Sequence, residues 1–487
     1  MHSLMPTLDD ASNVPVYMQL YAYIKAQISA GQLRPGEKLP SVRLLASLLG
    51  RSRTPIAHAY DQLAAEGYAV SRPRSGLFVA DLSIHSPEIT GSPGIDPIDK
   101  SASKPLATDG PPIPSRAYHA ANADEADYDF GYGAVDLSQF PHGKWRKLVG
   151  ECFLPENGRT LLYGDYQGDP RLREEIAAYL LHARGVRSLP GQIVVGAGTY
   201  HSLALLLQLL RPRLGAIAAE EAVNDGVKSL LLQAGAPVKP ISLEADGIRM
   251  DELRASSAQA VYLTPSHQFP YGMTTSIAKR LQLLAWAQAR DAYIIENDYD
   301  GEFRYGGKPI PSLQGLDADG RVIYLGTFSK ALAPSLRISY LVLPPELLSA
   351  FKAMAHSYDQ LASPIFQAAL ARFMRAGDFE RHIRRMRMLY NRKQETMLAA
   401  VREHLGDRVD VIGQGSGLHL LLRDRCGRRE EELVTAARAA RVHVYPTSIY
   451  ALAPELAAPG TVLLGYGGIP IERIASGIRR LSEAWEV

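Results

Sequence analysis

Apolar positions follow two different rhythms along this chain, and a stretch with neither rhythm lies between them. Near the start, Tyr17, Leu20, Ile24 and Ile28 recur at helical spacing, which predicts a helix from about Val16 to Ala30. The turn-rich "GQLRPGEKLP" follows. Ser41 can cap a second helix, "SVRLLASLLG", that stops at Gly50. In "RSRTPIAHAYDQLAAEGY", Thr54 suits an N-cap, Pro55 suits the first helical position, and Gly67 marks the end. "YAVSRPRSGLFVA" then predicts two short strands around Arg72, Arg74, Ser75 and Gly76.

Further on, short apolar runs alternate with amphipathic segments. "QIVVG" leads through "AGTY" into a helix over 201–210, and "GAIAAE", "AVYLTP", "AYIIENDY" and "RVIYLGTF" read as buried strands. Helical stretches such as "SIAKRLQLLAWAQAR" separate them. This alternation predicts an α/β fold with a mostly parallel sheet covered on both faces. Ligands in such folds sit beyond the carboxyl ends of the strands. Between the two regimes, residues 82–126 are rich in Pro, Ser, Gly and Asp without apolar period, the composition of a linker. The expected division is therefore 1–81, a linker at 82–126, and a body at 127–487.

Composition adds little to this picture. A chain of 487 residues is too long for one core. The net charge of +2 carries no message about nucleic acid, so only local distribution can. Cys152 and Cys426 stand far apart with no metal spacing, as expected of free thiols in a reducing compartment. The start "MHSLMPTLDD" lacks the features of a signal peptide, and the apolar run at 203–210 is too short to span a bilayer. A cytoplasmic protein without membrane association is expected.

Locally, the N-terminal pattern is that of a winged helix-turn-helix, whose second helix of the pair would enter a major groove of double-stranded DNA. Arg51, Ser52, Arg53 and Thr54 stand at that helix's start, where backbone amides also attract phosphate. Lys38, Ser41, Arg43, Arg72 and Arg74 would flank it. The plainer alternative is a small helical interaction domain with solvated arginines.

In the body, "GTFSKALAPSLRISY" sets Lys330 behind Thr327 and Ser329 and ahead of Arg337. A surface lysine is one reading. The other is a lysine that forms an imine with an aldehyde cofactor, beside hydroxyls and a guanidinium that grip its phosphate. Thr199 and Tyr200 lie where a strand gives way to a helix, so amides there could cradle the same phosphate. Tyr299, at the end of "YIIENDY", could donate to a phenolic oxygen, and Tyr163 could reach a phosphate in a partner subunit.

The N-terminal stretch resembles the GntR-type winged-helix domain through Gly31, Leu33, Pro35-Gly36, Leu39-Pro40-Ser41, Arg43, Leu45-Ala46, Ser52-Arg53, Ala59-Tyr60, Leu63, Glu66-Gly67 and Ser75-Gly76. That resemblance makes Arg43, Arg53 and Gly76 the expected DNA-facing positions. The body resembles fold-type I aminotransferases through "YGDYQGDPRLREEIAAYL", "TPSHQFPYG", "NDYDGEFRY", "GTFSKALAPSLRISYLVLP" and "RHIRRMRMLYNRK". Together the two parts resemble MocR/GabR-type regulators. The resemblance implies large and small subdomains in the body, pyridoxal phosphate held as a Schiff base on Lys330, an amine or amino-acid effector, an operator with two half-sites, and a head-to-tail homodimer. The basic stretch from Arg381 to Lys393 could touch DNA or another domain, and is expected first on a solvated helix face.

Several positions depart from that pattern. Asn297 stands where the family has an aspartate facing the pyridine nitrogen, and its amide is expected to donate to an unprotonated ring. Strand alternation puts Asp298 on the opposite face. Asn224 aligns with an aromatic ring-stacking position, Tyr200 replaces a smaller polar residue, and Tyr271 follows Pro270 where threonine is usual. "VLLGYGG", 462–468, offers no arginine for a substrate carboxylate. The expected function is a DNA-binding regulator without significant transaminase turnover. An active aminotransferase, or a regulator that has lost the cofactor and only dimerises or binds another ligand, are the alternatives.

Overall fold

The computed structural model describes residues 8–9, 14–72, 76–81, 126–305, 311–354 and 358–486. Arg74, Ser75 and nearly all of the expected linker lie outside the described residues. Three helices open the chain: α1 (Val16–Ser29), α2 (Val42–Leu48) and α3 (Arg53–Ala65). An antiparallel hairpin follows, β1 (Ala69–Arg72) and β2 (Gly76–Val79). Leu20, Ile24, Leu45, Ile56, Leu63 and Val79 form their shared core. Ser41 caps α2 as expected, accepting from the Leu44 amide at 3.2 Å. Thr54 does not cap α3. Ser52 holds the extended N-cap backbone, which moves Thr54 and Pro55 into the first turn.

The body is built on a seven-stranded sheet. In chain order its parts are β3 (Ile193–Gly196), α4 (Thr199–Leu210), β4 (Ile217–Glu220), α5 (Asp225–Gln233) and β5 (Val238–Ile241). Then come β6 (Ala260–Leu263), α6 (Ile277–Ala289), β7 (Tyr293–Asp298), β8 (Val322–Thr327) and β9 (Ser339–Val342). The spatial order is β3-β9-β8-β7-β6-β4-β5, parallel except for β9, which runs against both neighbours. The strands are continuously apolar because both faces are covered. Ile295 packs into one layer with Leu203, Leu206 and Ile323, while Ile294 packs into the other with Val261, Leu283 and Trp286.

The long helix α7 (Asp378–His404) leads to a smaller antiparallel sheet: β10 (Val409–Ile412), β11 (His419–Asp424), β12 (Tyr445–Pro446) and β13 (Thr461–Gly465), closed by α8 (Ile471–Ala484). One residue of α7 corrects the solvated-face expectation. Lys393 is fully buried; its ammonium meets Asp136 at 2.6 Å and donates to the Gly467 carbonyl at 2.9 Å. It ties α7 to the small sheet rather than facing solvent.

Ile277, the first residue of α6, is buried within the N-terminal module's core, with Leu281 and Leu316 packed beside it. Its side chain fits because Gly67 carries none. A Cβ there would approach the Ile277 methyl to 3.2 Å, and the φ of +79° already favours glycine. Among the described residues no helix is long and apolar enough to cross a membrane.

Candidate functional site

Beyond the carboxyl ends of β6, β7 and β8 lies a cavity of about 380 Å³. Lys330, Tyr299, Asn297, Thr327, Ser329, Arg337, Thr199 and Tyr200 all line it, so the order of motifs along the chain converges in space. Tyr163 does not line it. Its side chain is 99% exposed, on a different part of this chain's surface.

One end of the cavity is built for an anion. Gly198, at a φ of +95°, caps α4 and lets Arg337 lie directly on the turn; a Cβ at 198 would come within 1.9 Å of the guanidinium. Arg337 is itself in the left-handed region, at a φ of 52°, and donates to the Ala197 carbonyl at 3.1 Å. The amides of the first turn of α4 thus share a site with a guanidinium and with the Thr327 and Ser329 hydroxyls, which bond to each other at 3.0 Å.

The middle of the cavity holds Lys330. Its ammonium donates to the Tyr132 carbonyl and stands 4.0 Å from the centroid of the Tyr132 ring. Burial disfavours the charged form and pushes the amine down to about 8, against a smaller opposing pull from Asp300. Near pH 7 the lysine is therefore neutral far more often than an ordinary one.

Asn297 and Asp298 part company, as alternation requires. The Asp298 carboxylate accepts from the Arg184 guanidinium at 2.5 Å and from the Tyr324 hydroxyl at 2.5 Å, on the face away from the cavity. The register of β7 with β8 runs unbroken through both residues, so no bulge turns Asp298 round. The expected use of the Asn297 amide needs correction. Its Nδ2 donates to the Tyr262 hydroxyl at 2.7 Å, and its buried Oδ1 has no hydrogen-bond partner. The atom left for a ligand is an acceptor. Since a tyrosine hydroxyl can donate as well as accept, turning the amide over would present the donor instead.

Tyr299 follows the last residue of β7, and its hydroxyl lies 2.9 Å from His267 Nδ1. Both carboxylate oxygens of Asp300 lie 3.0 Å from the same nitrogen. A proton on Nδ1 answers the carboxylate and leaves Nε2, which has no partner, as a bare acceptor rather than a stranded donor. The Tyr299 hydroxyl then accepts from the imidazole and keeps its own proton for the cavity.

Two departures noted in sequence meet here. The Tyr200 hydroxyl donates to Asn224 Oδ1 at 2.6 Å. Its ring occupies the space above Gly226, where a Cβ would lie 2.2 Å from it. The phenol also falls within electrostatic reach of Tyr132, Tyr262 and Tyr450. Asn224 thus anchors the Tyr200 ring at the cavity's edge. Tyr132, Tyr262, Phe269, Asp225 and Tyr450 also line the cavity and were not singled out from sequence. Phe269 had a visible signal, since it lies inside "TPSHQFPYG".

On the N-terminal module, Lys38, Ser41, Arg43, Ser52, Arg53, Thr54, Arg72 and Gly76 are exposed, and Arg51 is half-buried. Arg72 stacks over the Phe78 ring at 4.5 Å and Lys38 lies 5.9 Å from it, so the hairpin and the turn before α2 bring their cations to one ring. Gly76 adjoins them: a Cβ there would press on the Lys38 side chain at 3.2 Å.

Comparison with known proteins agrees with this architecture. Residues 16–79 match the bacterial regulatory proteins of the gntR family, and residues 129–460 match aminotransferase class I and II. The uncharacterized HTH-type transcriptional regulator YhdI of Bacillus subtilis is 42% identical over 99% of this chain and 98% of its own length. The probable rhizopine catabolism regulatory protein MocR of Rhizobium meliloti is 35% identical over 99% of this chain and 96% of its own. An archaeal alanine:glyoxylate aminotransferase shares the fold of the body, with a TM-score of 0.70, 24% identity, and coverage of 76% of this chain and 94% of that one.

Proposed function

Because this chain belongs to the MocR/GabR type of DNA-binding transcriptional regulators, a gntR-type domain joined to an aminotransferase class I and II domain, we propose that its body holds pyridoxal phosphate at Lys330 and senses a small amine or amino acid there. The observation that carries this reading is one cavity with an anion cradle at one end and a desolvated lysine in the middle. The residues fit the group. Arg337, Thr327, Ser329 and the amides at Thr199 and Tyr200 would take the phosphate, and Tyr299 would donate to the phenolic oxygen. Asn297, through its free Oδ1 or with the amide turned over, would meet the ring nitrogen. Tyr200, steadied by Asn224, would lie against the ring face.

When bound, pyridoxal phosphate supplies an aldehyde carbon that condenses with primary amines. The chain's own residues set what happens next. Lys330 is neutral often enough near pH 7 to react, and Tyr132 holds its nitrogen in place. Asn297 is uncharged and cannot pin a proton on the ring nitrogen as a carboxylate does, while Asp298 is committed to Arg184. Proton removal from a bound amine therefore gains little stabilisation, which suits a sensor rather than a transaminase.

In the N-terminal module, Arg43, Arg51, Arg53, Ser52 and Thr54 would meet DNA at the start of α3, with Lys38, Ser41, Arg72, Arg74 and Gly76 on its flanks. Tyr163 would serve a partner's site in a head-to-tail homodimer bound to two half-sites. The deciding experiment mixes purified protein with pyridoxal phosphate, reduces with borohydride and maps the adduct. Label on Lys330 with negligible amino transfer is expected. No label would favour a body that has lost the cofactor, and rapid turnover with any amino acid would make it an enzyme.

A further inference from the structure

We propose that the cavity selects a primary amine with an apolar or aromatic body and rejects the same body carrying a carboxylate. The inference deepens, and rests on, the reading of Lys330 and Arg337 given above. With the cofactor's phosphate at Arg337 and its aldehyde carbon at Lys330, the ligand is left with the wall beyond the lysine. That wall is Tyr132, Phe269 and Tyr450, with Val223 and Val227 beside them.

The rings form a contiguous surface. Phe269 lies 4.9 Å from Tyr132 and 4.8 Å from Tyr450, centroid to centroid. Behind them Ala222, Leu421 and Leu463 are buried and apolar. Such a wall rewards an apolar body, and against a carboxylate it sets neutral phenols at most, with no unengaged cation among the described lining residues to offset the lost water. Electrostatics points the same way. Among the described lining residues the cations are Lys330 and Arg337, both already engaged, and the carboxylate is Asp225. Asp225 opens α5 and is half-buried, so an incoming carboxylate meets a like charge in a partly desolvated place. Nearby Lys228 does not line the cavity, and its ammonium is turned to the Ala451 carbonyl.

The test uses full-length protein reconstituted with pyridoxal phosphate. Two matched pairs are titrated, 2-phenylethylamine against L-phenylalanine and n-butylamine against L-norvaline, reading visible absorption and the thermal midpoint. Each amine is expected to bind at least about tenfold more tightly than its carboxylated partner. Asp225→Asn should narrow that gap, and Phe269→Leu should weaken 2-phenylethylamine more than n-butylamine. Equal or tighter binding of either amino acid, or no response to both amines, overturns the inference. Those results are distinguishable from failure of the cofactor reading, because that failure shows first as absence of borohydride-trapped label at Lys330.

Discussion

The two halves of this molecule use charge in opposite ways. In the N-terminal module the cations stand in water on the turn, on α3 and on the hairpin, over a small core. In the body the decisive charges are dry: Lys330, Asp298, Arg184, His267 and Asp300 are each less than a tenth exposed. Exposed cations act at a distance and are screened by salt, whereas buried groups act by shifting their own ionisation and by holding one geometry. A DNA-binding module and an aminotransferase-like body are thus joined with most of their charge spent in different ways.

The sharpest way to break that contrast is Lys330→Ala. It should abolish the trapped cofactor adduct altogether, measured by mass spectrometry, while binding to duplex DNA without effector stays within about twofold, as expected for sites that share no contacts. The opposite cut is Arg43→Ala with Arg53→Ala. The pair should weaken DNA binding by roughly 100-fold at low salt and lower the slope of log affinity against log salt by about 2, with the cofactor's spectrum unchanged. An unaltered slope would remove both arginines from the DNA face.

A smaller effect comes from pH. Lys330 reacts as the neutral amine, and burial has lowered its value to about 8. Below that value the rate of adduct formation should rise about tenfold per pH unit, then level off above it, in stopped-flow absorbance. A rate still climbing at pH 10 would mean an ordinary, solvated lysine. The smallest expected change is at Tyr200. Tyr200→Ala should loosen the cofactor by about threefold to tenfold, the worth of one ring contact, while Tyr200→Phe keeps most of it.

What could be read from sequence follows from how local each signal is. The strand-to-helix turn at Gly198, the Thr327–Lys330 segment and the alternation of Asn297 with Asp298 are short-range patterns, and the structure places them as the pattern requires. The partners of those residues are not local. Arg184 reaches Asp298 from 114 positions away, and Lys393 finds Gly467 across 74. Nothing in a basic helical stretch marks which lysine turns inward. Asn224 and Tyr200 each looked like a loss when taken singly. Only their 2.6 Å hydrogen bond makes one the support of the other. Thr54 misled for a local reason: Ser52, two places earlier, takes the extended N-cap backbone, although its side chain makes no capping hydrogen bond.

Ile277 gives this arrangement a mechanical side. A fully buried isoleucine is worth about 1.5–3 kcal/mol, and here the body lends that side chain to the other module's interior. It begins the helix entered from the same loop whose Thr264 and Phe269 border the cavity. One short stretch of chain, from Thr264 to Ile277, therefore touches the cavity at one end and the core of the N-terminal module at the other.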